Sequence, residues 1–197
     1  MKPITILIAF ALLLTSCKKS LDREVHGTAP TIVDGYQEYI IESGGHYASS
    51  NVIKSVTNKK ELHFTAWLDS SCIYMSANPT NQGDINKLYG FGDCGEDHQA
   101  SSARFGWNWN GNAFDIYAYC YANSVREWKM MGTLRPKEKA EMWIIVSPKK
   151  YVFRFKDRLE TLERTCSTEQ IEGYQLYPYF GGDEPAPHEM KIYIKEL

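Results

Sequence analysis

The chain predicts an all-β fold, an antiparallel β-sandwich or jelly roll. Three observations carry this: two hairpin signatures with alternating faces, many short strand-like runs separated by turn signals, and few stretches of helical period. The first hairpin is ARFGWNWNGNAFDIYAYCY, Ala103 to Tyr121. Asn110-Gly111 is the favoured pair for a two-residue type I′ turn, because both positions need positive φ. Taken as the turn, it sets Trp109 against Asn112, Trp107 against Phe114, Phe105 against Ile116 and Ala103 against Ala118. Apart from Asn112 that face is apolar and reads as core. The other face carries Ser102, Arg104, Gly106 and Asn108 against Tyr119, Tyr117, Asp115 and Ala113. A slip of one residue mixes the two sets, so the pattern itself supports the pairing.

The second hairpin, AEMWIIVSPKKYVFRFK, turns at Ser147-Pro148-Lys149-Lys150, with proline where a type I turn accepts it. Met142, Ile144 and Val146 then share a face with Phe155, Phe153 and Tyr151. The reverse face sets Glu141 opposite Lys156 and Trp143 opposite Arg154, a charge pair and a cation–π pair. Upstream, ELHFTAWLD alternates Leu62, Phe64, Ala66 and Leu68 with His63, Thr65 and Trp67. Further strands are expected at Tyr39 to Ile41, Cys72 to Met75, Val125 to Met131 and Lys191 to Ile194. Asp157 to Cys166 reads equally as a short helix or a strand.

Ahead of these strands the chain opens MKPITILIAFALLLTSCKKS. Lys2 gives a positive start and Ile4 to Leu14 an apolar run, shorter than the roughly 20 residues a membrane-spanning helix needs. Leu14-Thr15-Ser16-Cys17 resembles the lipobox of bacterial lipoproteins. The resemblance implies cleavage before Cys17 and acyl chains, palmitate among them, on that residue. Two or three such chains hold a protein firmly, at about 0.8 kcal/mol per buried CH₂. No aspartate follows Cys17, as in enterobacterial lipoproteins bound for the outer membrane, and no acidic run resembles the surface-export signal of some Bacteroidota lipoproteins. The expectation is therefore a lipid-anchored protein of the cell envelope on the outer membrane, its periplasmic face ahead of the cell surface. Residues 1–16 form the signal, 17–35 the lipidated cysteine and a tether, and 36–197 one sandwich domain.

The full chain has 22 basic and 24 acidic side chains and no basic block, which argues against a nucleic-acid partner. Beyond Cys17 stand Cys72, Cys94, Cys120 and Cys166, an even set that suggests disulfides in an exported protein, with three connectivities open. Cys94 and His98 have C-x₃-H spacing beside Asp97, but no second ligand pair follows, so zinc ranks behind disulfide.

The runs YVFRF, GYQLYPYFGG and KIYIKEL resemble the concanavalin A-like sandwiches of many lectins and glycan-cleaving enzymes. That resemblance covers the C-terminal half and implies a protein that handles polysaccharide. Gly90-Phe91-Gly92-Asp93-Cys94-Gly95 matches G-x-G-x-x-G, yet the acidic Glu96-Asp97-His98 follows it in place of a phosphate-binding helix. No G-x-S-x-G, H-E-x-x-H or P-loop pattern occurs. The E-x-D-x-x-E strand that resembles the signature of retaining endoglucanases is also missing, which counts against a two-carboxylate glycosidase at that position.

Two loops, GFGDCGEDHQ and FGGDEPAPHEM, carry acids that can offer oxygen to calcium: Asp93, Glu96 and Asp97 in one, Asp183 and Glu184 in the other. Neither set is complete, and solvated turns are the favoured reading. Asp183 and Glu184 stand as the metal candidates, and no other cofactor is expected. His98 and His188 read first as turn or packing residues.

The stronger candidate is the polar-aromatic sheet face. Arg104, Asp115, Tyr117 and Tyr119 are neighbours by register, and Trp67, His63 and Trp143 join them if their strands share the sheet. Rings stack on sugars while arginine and carboxylate fix their polar groups, the makeup of a ligand surface. His98, Arg104 and Tyr117 also suit a polysaccharide lyase, which neutralises a uronate and removes its α-proton. The expected function is glycan binding through this face. A lyase on the same face is the enzymatic alternative, and a structural or partner-binding envelope lipoprotein the third.

Overall fold

Period-two patterning requires two sheets that bury facing apolar sides, and the computed structural model, which describes residues 30–197, has that arrangement. Cys17, the signal and most of the tether lie outside the described residues. With strands numbered in chain order, one sheet runs β1 (Ile32–Val33), β2 (Tyr36–Ile41), β13 (Met190–Glu196), β4 (Glu61–Leu68), β9 (Ala140–Ser147), β10 (Lys150–Phe155), β11 (Arg158–Glu163). The other runs β3 (Ser55–Thr57), β12 (Glu172–Leu176), β5 (Asn86–Gly92), β6 (Ser102–Trp109), β7 (Phe114–Ala122), β8 (Val125–Leu134). Strand pairing begins at Ile32, inside the segment read as a tether.

The alternation seen in the sequence becomes burial. Leu62, Phe64, Ala66 and Leu68 of β4 are buried, as are Phe105, Trp107, Phe114 and Ile116 of the first hairpin. Phe105 joins the sheets, with its ring 5.9 Å from that of Phe64 and 5.3 Å from that of Phe153. Rings of this size supply the largest apolar areas available to a core, so Phe105→Ala costs about 3–5 kcal/mol.

Several expectations need correction. The first hairpin is offset by two residues: Trp109 pairs with Phe114, Phe105 with Ala118, and Arg104 with Tyr119 rather than Tyr117. Gly111 has φ +94°, but Asn110 is not in the left-handed region, so the type I′ turn does not form. The Asn110 side chain instead accepts the N–H groups of Asn112 and Ala113, which widens the loop. An offset of two keeps every side chain on its expected face.

In the second hairpin the pairing is as read, including Trp143 opposite Arg154, whose guanidinium lies 4.6 Å from the indole. Its connection is shorter, since Ser147 pairs with Lys150. Lys156 bonds Glu138 at 2.7 Å, not Glu141. Cys72 to Met75 is no strand: Asp69 caps a 3₁₀ turn over Ser70–Cys72. Asp157 to Cys166 resolves as strand β11. Among the described residues one disulfide forms, Cys94–Cys166, while Cys72 and Cys120 are buried thiols.

Beside that disulfide lies a buried ion pair. Arg164 Nε donates to Asp93 Oδ2 at 2.8 Å, and both side chains are fully buried. The guanidinium also donates to the carbonyls of Ser147, Thr168 and Gln170. Asp93 accepts from the N–H groups of Cys94 and Glu172 and from the Tyr151 hydroxyl. This corrects the reading of Asp93 as a solvated turn or calcium ligand, because its oxygens are already occupied.

Removing one partner of such a pair strands the other charge without water. Arg164→Ala is expected to lower stability by about 3–5 kcal/mol in urea unfolding, and the double variant Asp93→Asn/Arg164→Met to recover part of that loss. A loss below about 1 kcal/mol for Arg164→Ala contradicts this role, since it is no more than a surface pair contributes.

Candidate functional site

The outer face of the six-stranded sheet holds a groove of about 390 Å³, the size of a ligand site. Its floor is built by β5, β6, β7 and β12, and its walls by the 47–53 segment and Tyr177–Tyr179. Lys87, Arg104 and Arg126 line it with His98, Tyr119, Tyr121 and Tyr174, and among the described residues no aspartate or glutamate does.

Local sequence explains how these side chains converge. A bulge between Lys87 and Tyr89 re-phases β5, so that Lys87 reaches the outer face beside Gly106 while Tyr89 turns inward. Gly90 lies directly across from Arg104, and a Cβ there meets the Ala103 carbonyl oxygen at 2.1 Å and Arg104 Cγ at 2.6 Å. Gly92 seats the Tyr174 ring, 3.0 Å from where a Cβ would stand. The rejected glycine motif thus serves close approach by Arg104 and Tyr174.

Arg104 is 7 % exposed, and its Nε has no hydrogen-bond partner among the described residues. Burial lowers its pKa, and the phenols of Tyr119, Tyr121, Tyr174 and Tyr179 offset part of that. A buried cation without a counter-charge is costly, and an anion entering the groove removes that cost. Lys87 Nζ sits 4.9 Å above the Tyr119 ring. Burial, then repulsion from Arg104 and Arg126, pushes the Lys87 amine down to about 8.

His98 is half-buried, and its pKa is lowered by burial and then by Arg104, so the imidazole is neutral at pH 7. The Tyr174 hydroxyl accepts the His98 backbone N–H at 3.1 Å and meets Nδ1 at 3.0 Å. In the tautomer that donates Nδ1–H to that oxygen, Nε2 keeps its lone pair. The Tyr119 hydroxyl is held above the ordinary range, chiefly by burial, and stays protonated.

Of the residues picked from the sequence, Arg104, Tyr119 and His98 meet in the groove. Tyr117 and Asp115 share the sheet face but lie further along it, outside the lining. Tyr117 donates to Asn108 and packs edge-on against Trp128, and Asp115 accepts from Asn110. Trp67 and His63 belong to the other sheet, as does Trp143. Trp67 stacks on Tyr193 at 3.8 Å and His63 on Trp143 at 4.2 Å.

Glu184 is not free for a metal, because it accepts the N–H groups of Ala77 and Asn78 and the Asn81 amide. Asp183 is exposed beside it. The acidic and sulfur ligands that do cluster among the described residues are Asp93, Cys94 and Cys166, committed to the ion pair and the disulfide. Lys87, Arg126, Tyr121 and Tyr174 were missed. The outward phase of β8, β7 and β12 was the available signal for Arg126, Tyr121 and Tyr174, whereas the bulge hid Lys87.

No family model and no curated protein matches the sequence. Solved structures do match in fold. An alginate lyase from Klebsiella pneumoniae superposes with TM-score 0.58 at 10% identity, over 84% of this chain and 81% of that one. An alginate lyase from Alteromonas sp. 272 gives 0.52 at 10% identity, over 86% and 88%. A polysaccharide lyase of family 18 gives 0.51 at 10% identity, over 84% and 87%. The chain has the jelly-roll sandwich of these proteins.

Because the folded pKa of Lys87 lies below its ordinary value, the folded state binds fewer protons between pH 8 and 10.5. The charged amine is therefore unfavourable below pH 8, and that cost fades as pH rises towards 10.5. Relative to Lys87→Met, the wild-type protein is expected to gain stability between pH 7 and pH 10. A constant difference across that range contradicts the burial of a charged Lys87.

Proposed function

We propose that the groove binds an acidic polysaccharide and cleaves it by β-elimination. Buried Arg104, whose Nε has no partner among the described residues, carries this reading, in a groove that those residues line with three cationic side chains and no carboxylate. Hydrolysis by a pair of carboxylates has no groups to use here. The fold shared with proteins named as alginate lyases agrees with this reading, which rests on the groove.

Arg104 and Lys87 pair with the uronate carboxylate and stabilise the charge that builds on it as the α-proton leaves. Neutral His98 takes that proton through Nε2. The C–H electron pair forms the new C=C bond, the bond from the adjacent carbon to the glycosidic oxygen breaks, and the Tyr119 hydroxyl protonates the departing oxygen. Tyr119 thus supplies the phenol expected of Tyr117, and Tyr174 holds His98 in place. Tyr47, Tyr177 and Tyr179 supply stacking surface along the wall. That aromatic wall also supports a second reading, a glycan-binding groove without turnover.

Incubation with polyuronates, followed by the ultraviolet absorbance of the unsaturated product, tests the proposal. Arg104→Ala is expected to lower kcat/KM by about 10²-fold or more, the usual effect of losing one charge-stabilising donor. The rate should rise as His98 loses its proton below pH 6.5 and fall as Lys87 loses its own near pH 8. Binding without product supports the second reading, and cleavage of neutral glucans without an unsaturated end rules out elimination.

The lipobox residues extend this to location: lipidated Cys17 holds the domain on the outer membrane, facing the periplasm. Cys17→Ser is expected to abolish labelled palmitate incorporation and to move the protein from the membrane to the soluble fraction. Unchanged labelling contradicts the anchor.

A further inference from the structure

Trp128 lies outside the groove lining, half exposed at 50 %, on β8 at the edge of the six-stranded sheet. It pairs directly across from Tyr119, so both stand on the outer face. Arg126, two residues earlier on the same face, lines the groove, which puts Trp128 about 7 Å further along the strand. Tyr117 packs edge-on beneath it at 5.7 Å with the planes at 89°, which props the indole from one side. Met130, 40 % exposed, continues the same row. Edge strands ordinarily present charge to solvent, and an apolar ring kept there without cover is a surface with a use.

The support beneath this ring is held in place from within the protein, since Asn108 is buried and its amide is bonded to Gly83 and to the Tyr117 hydroxyl. Asn108 and Asp115 are paired neighbours on β6 and β7, and the Tyr117 hydroxyl joins them through Asn108. The cations lie towards the groove, whereas the exposed side chains next along β8 on this face are Trp128 and Met130. An exposed indole fixed edge-on by Tyr117 suits the apolar face of a pyranose, whether or not that sugar carries a carboxylate.

We propose that Trp128, propped by Tyr117, forms a second sugar subsite that continues the groove, taking one pyranose ring by stacking rather than by ion pairing. The inference rests on the reading of the groove as a site for acidic glycan. It gives the site a direction, with a carboxylate held at the Arg104 end and the apolar face of a further sugar at the Trp128 end.

Titration calorimetry with oligouronates of increasing length tests it on the whole exported domain. In the wild type, affinity should rise about tenfold when the oligomer becomes long enough to reach Trp128, the effect of one well-placed contact. Trp128→Ala should lose that step. Trp128→Leu, which keeps apolar cover over Tyr117 without a flat ring, should lose it too, while Trp128→Phe keeps most of it. The step should persist at high salt, unlike the contribution of Arg104. A step of unchanged size in Trp128→Ala, or its full rescue by leucine, overturns the subsite while leaving the groove reading intact. Failure of the wild type to bind oligomers of any length overturns both.

Discussion

Much of the site depends on the ion pair between Asp93 and Arg164. It lies where the end of β5, the start of β12, strand β10 and the segment after β11 meet, and it satisfies the Tyr151 hydroxyl of β10 and backbone groups from the other three. Two charges without water are tolerable only when their hydrogen-bonding positions are filled, and here the surrounding carbonyls, N–H groups and phenol fill them. The adjoining Cys94–Cys166 disulfide closes a long stretch of chain on the same junction. His98 follows Asp93 by five residues, and Tyr174 follows Glu172 by two. The junction thus fixes both ends of the His98–Tyr174 contact.

The two buried arginines make the functional argument by contrast. Arg164 spends its donors on protein oxygens. Arg104 lies among phenols, with its Nε unpartnered and two further cations nearby. The first arrangement is complete as it stands and reads as architecture. The second is incomplete until an anion arrives, and the glycines at 90 and 92 keep the space in which that happens.

Period-two alternation made the faces legible from sequence, so Arg104 and Tyr119 were placed outward and Phe105 and Trp107 inward. The offset of the first hairpin came from the Asn110 side chain, which bonds its own loop and overrides the preference of an Asn-Gly pair for a tight turn. Trp67 and His63 were beyond reach, because alternation says which side of a strand is polar and not which sheet the strand joins. Asp93 was misread because an acid in a glycine-rich loop looks solvated until a partner 71 residues away buries it. The single disulfide has a similar cause, since Cys72 and Cys120 sit in the core on separate elements.

The central claim is that Arg104 is held unpaired for a carboxylate. The most direct measurement follows the Arg104 Nε–H resonance by ¹⁵N NMR, assigned by its loss in Arg104→Lys, while an acidic oligosaccharide is titrated in. A saturable shift of that resonance, absent with the neutral oligosaccharide of equal length, is the expected result. Binding that leaves the Arg104 resonance where it was contradicts the account.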